Sequence, residues 1–231
     1  MPYLYIDPWY IILVVPAMLL AFWAQINVNT TFSRYSKVLA PSGMTGAESA
    51  RRVLEANGVT GVRIERISGN LTDHFDPKTN TIRLSESVYD ATTVSAVGVA
   101  AHEAGHAVQY AVGYAPMQLR AAIIPATNIG SQLAMPLVLL GLIFSSAMLV
   151  DIGIVAFSMS TMFQLVTLPV EFNASRRAVV TLESSCVSDT EVKGAKAVLR
   201  AAALTYVAAL AVSLASLLRI ILLFGNRNRR D

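Results

Sequence analysis

The sequence predicts an α-helical integral membrane protein with about four transmembrane helices and a small α+β head that faces water. Hydrophobic residues make up 54% of the chain and charged residues only 14%, whereas a soluble domain carries roughly 25% charged residues. Four windows lack Asp, Glu, Lys and Arg altogether, at residues 8–33, 121–150, 152–170 and 201–218. Helices that are apolar on every side need lipid or a deep core around them. Residues 34–120, in contrast, hold 9 basic and 8 acidic side chains.

The composition excludes several classes of protein. An intrinsically disordered chain is too polar to match these apolar windows. A disulfide-stapled secreted domain needs paired cysteines, and Cys186 is the only cysteine. The net charge is only +3, so we interpret the basic residues as flanks of membrane helices rather than as a nucleic-acid-binding surface.

The windows divide the chain into five predicted segments. They are an N-terminal signal-anchor transmembrane helix (1–33), the α+β head (34–120), a transmembrane helical hairpin (121–170), a polar segment (171–200) and a C-terminal transmembrane helix with a basic tail (201–231). No Lys or Arg precedes the first window, which favours a signal anchor over a cleavable signal peptide.

Local signals predict where the membrane helices begin and end. In the hairpin, Pro125 and Pro136 are expected to break the long window, and residues 151–153 are expected to form a tight turn between two spans. The last helix is expected to begin in water and to enter the membrane partway along.

The head contains signals for both helix and strand. Thr45 and Glu48 have the spacing of a capping box, which predicts a helix over residues 46–57. Apolar and charged residues alternate at 62–67 and again at 81–84, as in half-buried strands. The second of these strands is either an ordinary core strand or a template that aligns an extended substrate by strand addition.

A candidate metal site follows the second predicted strand. His102, Glu103 and His106 form the pattern H-E-x-x-H within a stretch of small and apolar residues. On a helix, side chains four positions apart project from one face, so both imidazoles can reach one Zn²⁺. Glu103 stands beside them as a candidate general base.

Two histidines leave a catalytic zinc one protein ligand short. Glu171 ends a charge-free window, where a carboxylate is costly unless it pairs or binds metal. The alternative for Glu171 is an ion pair with Arg176 or Arg177. His74 is the only other histidine. It is expected at the surface in a turn, and the alternative is a position behind the zinc ligands or facing the substrate.

These motifs carry a resemblance to a known family. The order of strand, H-E-x-x-H helix, membrane hairpin and E-x-x-A resembles the gluzincin membrane proteases of the HtpX and CAAX-prenyl-protease kind. The chain is still more similar to the YugP-type membrane zinc metallopeptidases of bacteria. The matching stretches are 71–77, 100–109, 168–177 and 197–207.

The resemblance implies a zincin-like catalytic head, Zn²⁺ as cofactor and hydrolysis of peptide bonds. It implies His102, His106 and Glu171 as metal ligands and Glu103 as the catalytic base. The chain departs from the HtpX-like group at Ser175, where that group has an Asp four residues after the ligand Glu. Candidates for stabilising the oxyanion are Arg176, Arg177 and Tyr206.

Two other functions stay open at this stage. A site-2-type intramembrane protease would place the H-E-x-x-H helix in the bilayer and take a later Asp as ligand, for which Asp151 is a poor match. A non-catalytic zinc-binding membrane scaffold would not need an intact Glu103. The partners expected are the lipid bilayer and a peptide or membrane-protein substrate, without nucleic acid, while a homo-oligomer or a protein partner is left open.

Charge near the spans predicts the orientation in a bacterial plasma membrane. Basic residues adjoin the first three spans at Arg34, Lys37, Arg120, Arg176 and Arg177. The positive-inside rule then puts the N-terminus outside and the head in the cytoplasm of a multi-pass protein. The basic C-terminal tail disagrees with this orientation, because four spans return it to the outside.

Overall fold

The computed structural model describes residues 7–185 and 188–224, and the chain forms two compact units. The apolar unit is made from Met1–Ala24, Leu119–Leu168 and Thr205–Asp231. The head unit is made from Gln25–Gln118 and Pro169–Leu204. The first six residues and the basic tail with Arg227, Arg229 and Arg230, which bear on the predicted orientation, lie outside the described residues.

The chain is mostly helical with a small sheet. A π-helical turn, Tyr10–Val14, precedes the first helix, and the elements then follow in this order: α1 (Val15–Tyr35), α2 (Gly46–Ala56), β1 (Arg63–Ile67), β2 (His74–Asp76), β3 (Thr81–Ser85), α3 (Glu86–Tyr89), α4 (Val94–Ala111), α5 (Ala115–Ile143), α6 (Ala147–Ser184) and α7 (Asp189–Phe224). Within the described residues, four helices are long and apolar enough to cross a membrane: Tyr10–Tyr35, α5, α6 and α7.

The hairpin differs from the prediction at its prolines and at its turn. Pro125 and Pro136 both lie inside an unbroken α5. Membrane helices tolerate proline where neighbouring helices and side chains satisfy the backbone groups that proline frees. Residues 151–153 are helical, and the chain turns instead just before α6, where Ser145 has a φ of 52°. Gly153 packs against the backbone of α5 at Ala134, so its lack of a side chain allows helix packing rather than a turn.

The segment expected to be a polar connection, residues 171–200, is largely helical. Glu171 lies in the interior of α6, which continues to Ser184. A new helix then begins at Asp189, and the Ser188 hydroxyl accepts a hydrogen bond from the Glu191 backbone N–H. The Glu191 carboxylate is fully buried and accepts hydrogen bonds from Ser42. Because α6 continues past residue 170, the candidate ligand Glu171 lies on a regular helix.

The predicted helix and both predicted strands of the head unit form, although residues 81–84 are mostly buried rather than half-buried. Thr45 and Glu48 form both hydrogen bonds of a capping box at the start of α2. The sheet has the order β1-β3-β2, with β1 parallel and β2 antiparallel to β3. β3 is therefore the central strand, paired on both edges, and the reading of residues 81–84 as a template for strand addition is wrong.

α4 is the central helix of the head unit. Its buried residues belong to the apolar core of this unit, together with residues from α2, β3, α6 and α7. The helix begins at Thr93, whose side chain accepts a hydrogen bond from the Ala96 N–H. Two glycines let neighbouring helices approach α4 closely, since Gly98 faces Ala195 of α7 and Gly105 faces Ala174 of α6. The helix that carries H-E-x-x-H is thus fixed from several sides.

The apolar unit contains an ion pair between its first and last segments. Arg219 of α7 donates hydrogen bonds from Nε and Nη2 to Oδ2 of Asp7, at 3.0 and 2.6 Å. The same guanidinium lies 5.1 Å from the ring centroid of Tyr10. Elsewhere in this unit the hydroxyls of Thr161 and Ser213 are 2.7 Å apart. These polar side chains of the apolar unit pair with each other, as expected in a low-dielectric environment.

Candidate metal centre

Three side chains of the head unit bring metal-binding atoms to one point. His102 and His106 project from one face of α4, and Glu171 projects toward them from α6. Oε2 of Glu171 lies 3.3 Å from Nε2 of His102 and 3.5 Å from Nε2 of His106. All three donor atoms lie within 4.8 Å of one another.

The arrangement fits a zinc ion. Tetrahedral zinc with ligand atoms at about 2.0–2.2 Å requires about 3.3–3.6 Å between neighbouring ligand atoms. The two separations measured from Glu171 fall in this range. Two imidazoles and one carboxylate also form the donor set that is typical of catalytic zinc, which keeps its fourth position open.

The helix geometry explains why these residues meet. The two histidines are four positions apart, and their ring centroids are 4.7 Å apart with the ring planes at 78°. A Cβ on Gly105 would lie 2.5 Å from the carbonyl oxygen of Ala174, so only glycine lets α6 come this close to α4. Because Ala174 is three residues after Glu171, this contact brings the Glu171 carboxylate within reach of both imidazoles.

The site is buried and favours positive charge. Glu171 is 3% exposed, His106 8% and Glu103 9%. Burial by itself lowers the pKa of His106. The Glu171 carboxylate, which accepts a hydrogen bond only from the protonated imidazolium, and the negative charges of Glu103 and Glu171 outweigh burial, so the pKa is raised. A bound cation would relieve the same excess of negative charge.

Each imidazole is held through its other nitrogen. Nδ1 of His102 lies 3.1 Å from the hydroxyl of Ser175, and Nδ1 of His106 lies 3.0 Å from Oε1 of Gln109. Metal-binding histidines commonly engage the second ring nitrogen in this way, which fixes the orientation of the ring. Ser175, where the chain departs from the HtpX-like pattern, therefore contacts the imidazole of His102.

Sequence reasoning missed Gln109 and left Ser175 without a partner. Both positions carry a signal that follows from helix periodicity. Gln109 comes three residues after His106 and is a buried amide on the helix that carries both histidines. Ser175 comes four residues after Glu171, so it lies on the same face of α6.

The other candidate residues are exposed, have other partners or belong to no such cluster. His74 is exposed in β2 and its Nδ1 contacts the backbone carbonyl of Thr72 at 2.8 Å. Arg176 is exposed, and Arg177 donates from Nε to Oδ1 of Asn173 at 2.8 Å. A group of metal-binding side chains that includes His74 or Asp151 is not found within residues 7–185 and 188–224.

The chain is similar to known proteins along almost its whole length. The family model described as "Putative neutral zinc metallopeptidase" matches residues 10–225. The chain belongs to this family. It is also 48% identical over 218 residues to "Putative membrane protease YugP" of Bacillus subtilis (strain 168), which covers 94% of this chain and 97% of the relative. No solved structure matches the chain.

Membership of this family agrees with the site and with the helices. A zinc metallopeptidase is a hydrolase that needs a bound metal, and His102, His106 and Glu171 form a cluster that could hold one. The relative is called a membrane protease, and the four long apolar helices could span a membrane.

Proposed function

We propose that the protein is a membrane-embedded zinc metalloendopeptidase of the gluzincin type, with a zincin-like catalytic head. In this proposal His102, His106 and Glu171 hold the zinc ion and Glu103 is the general base. The observation that carries the proposal is the convergence of two Nε2 atoms and one carboxylate oxygen within 4.8 Å. The family and the relative named as a membrane protease support the same class of enzyme.

Glu103 is suited to move a proton during peptide hydrolysis. A bound Zn²⁺ would polarise the scissile carbonyl and make a water molecule easier to deprotonate. The Glu103 carboxylate takes a proton from the attacking water while the water oxygen bonds to the carbonyl carbon. Glu103 then donates that proton to the leaving nitrogen as the C–N bond breaks. Glu103 is buried beside His102 on α4, and it has no hydrogen-bond partner among the residues that the structure describes.

The edge of the sheet offers a place for an extended substrate. β2 pairs with β3 on one side only, as far as the described residues show. Phe75 of β2 contacts Tyr110 of α4, with ring centroids 5.8 Å apart, so this strand lies against the helix that carries the site. An extended peptide that adds to the outer edge of β2 would gain main-chain hydrogen bonds without side-chain specificity.

One observation favours this proposal over an intramembrane protease of the site-2 type. That alternative requires α4 to lie in the bilayer, and α4 is not among the four candidate spans of the described chain. The buried partners of α4 come instead from the core of the head unit.

The environment of the enzyme is part of the proposal. We infer that the protein lies in the plasma membrane of a bacterium with its head in the cytoplasm. Its substrate is a peptide segment of a protein, including membrane proteins that expose such a segment to the head.

The test compares the wild type with Glu103→Gln, both purified as full chains and loaded with zinc. Gln has the same shape but cannot accept the proton, so cleavage of an unfolded protein such as casein should fall by about 10²–10⁴-fold. Zinc stoichiometry should remain that of the wild type, because Glu103 is not a proposed ligand. A variant that loses zinc yet regains full cleavage on remetallation would refute the role of Glu103, and a zinc-loaded wild type without cleavage would favour a scaffold.

A further inference from the structure

We propose that Gln109 is a positioning residue that sets the tautomer of His106, and that Asn173 and Arg177 hold Gln109 in the required orientation. The network places the proton of the neutral imidazole on Nδ1 and leaves Nε2 bare toward Glu171. The inference rests on the proposed function only in taking this bare Nε2 as a metal ligand.

The network begins with a fully buried amide. Gln109 is 0% exposed and lies three residues after His106 on α4. Its Oε1 is 3.0 Å from Nδ1 of His106. Its Nε2 donates to the backbone carbonyl of Val170 at 2.8 Å and to Oδ1 of Asn173 at 3.0 Å. Both amide protons are thus used on α6, and the amide oxygen is left for the imidazole.

Two groups in this network can take only one role in a hydrogen bond, either donor or acceptor. They fix the direction of each hydrogen bond made by Gln109 and Asn173. The Val170 carbonyl can only accept, so the group of Gln109 that faces it must be the amide nitrogen. The guanidinium of Arg177 can only donate, and its Nε lies 2.8 Å from Oδ1 of Asn173. Oδ1 of Asn173 is therefore an acceptor, and it accepts the second proton of Gln109 as well.

The direction of the last bond follows. Both ring nitrogens of His106 face an acceptor: Oε1 of Gln109 lies 3.0 Å from Nδ1, and Oε2 of Glu171 lies 3.5 Å from Nε2. The shorter contact requires a donor more strongly, so Nδ1 carries the proton in the neutral imidazole. Nε2 then presents its lone pair on the side of Glu171, whose Oε2 lies 3.5 Å away. A rotated Gln109 amide would place its NH₂ group against His106 and its oxygen against the Val170 carbonyl, which is unfavourable in a buried site.

The side chain that contacts Nδ1 of His102 does not fix the tautomer of this imidazole. Nδ1 of His102 contacts the hydroxyl of Ser175 at 3.1 Å, and a hydroxyl can donate or accept. This contact is compatible with either tautomer of His102. The chain thus contains its own control, since Ser175 contacts one imidazole and Gln109 the other.

The test reads the protonated nitrogen directly. The full-length chain has three histidines, so ¹⁵N-histidine labelling of the detergent-solubilised protein without metal gives three resolvable ring systems at a pH that keeps them neutral. The exposed His74, assigned by its loss in His74→Gln, is the reference. We expect a protonated Nδ1 and a bare Nε2 for His106. A wild-type spectrum with the proton of His106 on Nε2 overturns the proposal without any substitution in the network.

Variants separate positioning from simple structural support. Gln109→Leu should let His106 populate the Nε2-protonated tautomer and should raise the zinc dissociation constant by about 10–100-fold. Asn173→Asp keeps an acceptor for both Gln109 and Arg177 and should preserve the wild-type tautomer. Ser175→Ala should leave the His106 signals unchanged. Preserved Nδ1 protonation in a folded Gln109→Leu would overturn the proposal.

The two proposals fail in different ways. If the wild type binds no zinc while His106 is protonated on Nδ1, the proposed function fails and the positioning network stands. If zinc binds and His106 is protonated on Nε2 in the metal-free protein, the positioning network fails and the proposed function stands.

Discussion

Gly105 of α4 faces the main-chain carbonyl of Ala174 of α6 so closely that a Cβ at position 105 would lie 2.5 Å from the carbonyl oxygen. Real Cβ atoms do not approach a backbone oxygen to this distance, and a backbone carbonyl has no rotamer that moves it aside. Helix packing therefore requires glycine at position 105, the second variable position in H-E-x-x-H, although this residue has no part in the proposed metal binding or proton transfer. The packing in turn sets the distance between the histidines of α4 and Glu171.

We expect Gly105→Ala to push α6 away from α4 and to weaken metal binding. Alanine favours a helix over glycine by about 1 kcal/mol, but overpacking of a close contact costs about 1–3 kcal/mol. Chelator competition for zinc and thermal unfolding in detergent measure the two effects. Gly98→Ala is the matched control, because Gly98 faces Ala195 of α7, which carries no proposed ligand. Zinc affinity equal to the wild type in Gly105→Ala would show that the close approach is not needed.

We expect Glu171→Ala to lose most of its bound zinc, because the change removes one of three converging donor groups. His74→Ala should retain the zinc of the wild type, since His74 is exposed and contacts its own loop at Thr72. The measurement is metal content after dialysis against a weak chelator, with zinc added back to equal concentrations. Zinc retained in Glu171→Ala and lost in His74→Ala would place the third ligand elsewhere.

Acid should weaken the head through Asp76. Hydrogen bonds from Arg83, from the Thr79 hydroxyl and from the Lys78 backbone hold the pKa of this carboxyl well below its ordinary value. A carboxyl whose pKa is lower in the folded state stabilises fully above its unfolded pKa of about 3.9 and loses this stabilisation as the pH falls toward its folded pKa.

The corresponding experiment follows the difference in unfolding free energy between the wild type and Asp76→Asn. We expect the difference to be constant above about pH 5 and to shrink below about pH 4. Asp90→Asn is the control, since Asp90 forms an exposed pair with Arg66 and such pairs contribute little. A difference that grows as the pH falls would contradict the assigned sign.

The head is expected to be shielded from reagents that cannot cross the membrane. Glu55 is exposed on α2, so Glu55→Cys in a Cys186→Ser background offers one accessible thiol in the head. An impermeant maleimide should label it in permeabilised cells and not in intact cells. Labelling in intact cells would reverse the orientation that the positive-inside rule predicts.

The sequence was sufficient where short-range physics decides the structure. The capping box at Thr45 and Glu48 and the alternation in β1 are local patterns, and both form as predicted. The turn between α5 and α6 was misplaced because Ser145 adopts a left-handed φ of 52°, which serine rarely does. The tripeptide Asp-Ile-Gly at residues 151–153 gave the stronger turn signal, although packing of Gly153 against α5 keeps it helical.

The candidate site was predictable in its donors and not in its supports. His102 and His106 follow from spacing on one helix, and Glu171 from the cost of a carboxylate at the end of an apolar window. The contact between Gln109 and Asn173 joins residues 64 positions apart. Helix periodicity gives the face on which each of these two residues lies, and only the packing of α4 on α6 shows that the two faces meet.

The ion pair between Asp7 and Arg219 has a consequence for biosynthesis. The two residues are 212 positions apart, so the pair can form only after nearly the whole chain has left the ribosome. Until then the Asp7 carboxylate lacks its Arg219 partner, in a unit that tolerates unpaired charge poorly. Completion of the apolar unit therefore waits for α7, and a chain that stops before Arg219 leaves the Asp7 carboxylate without this partner.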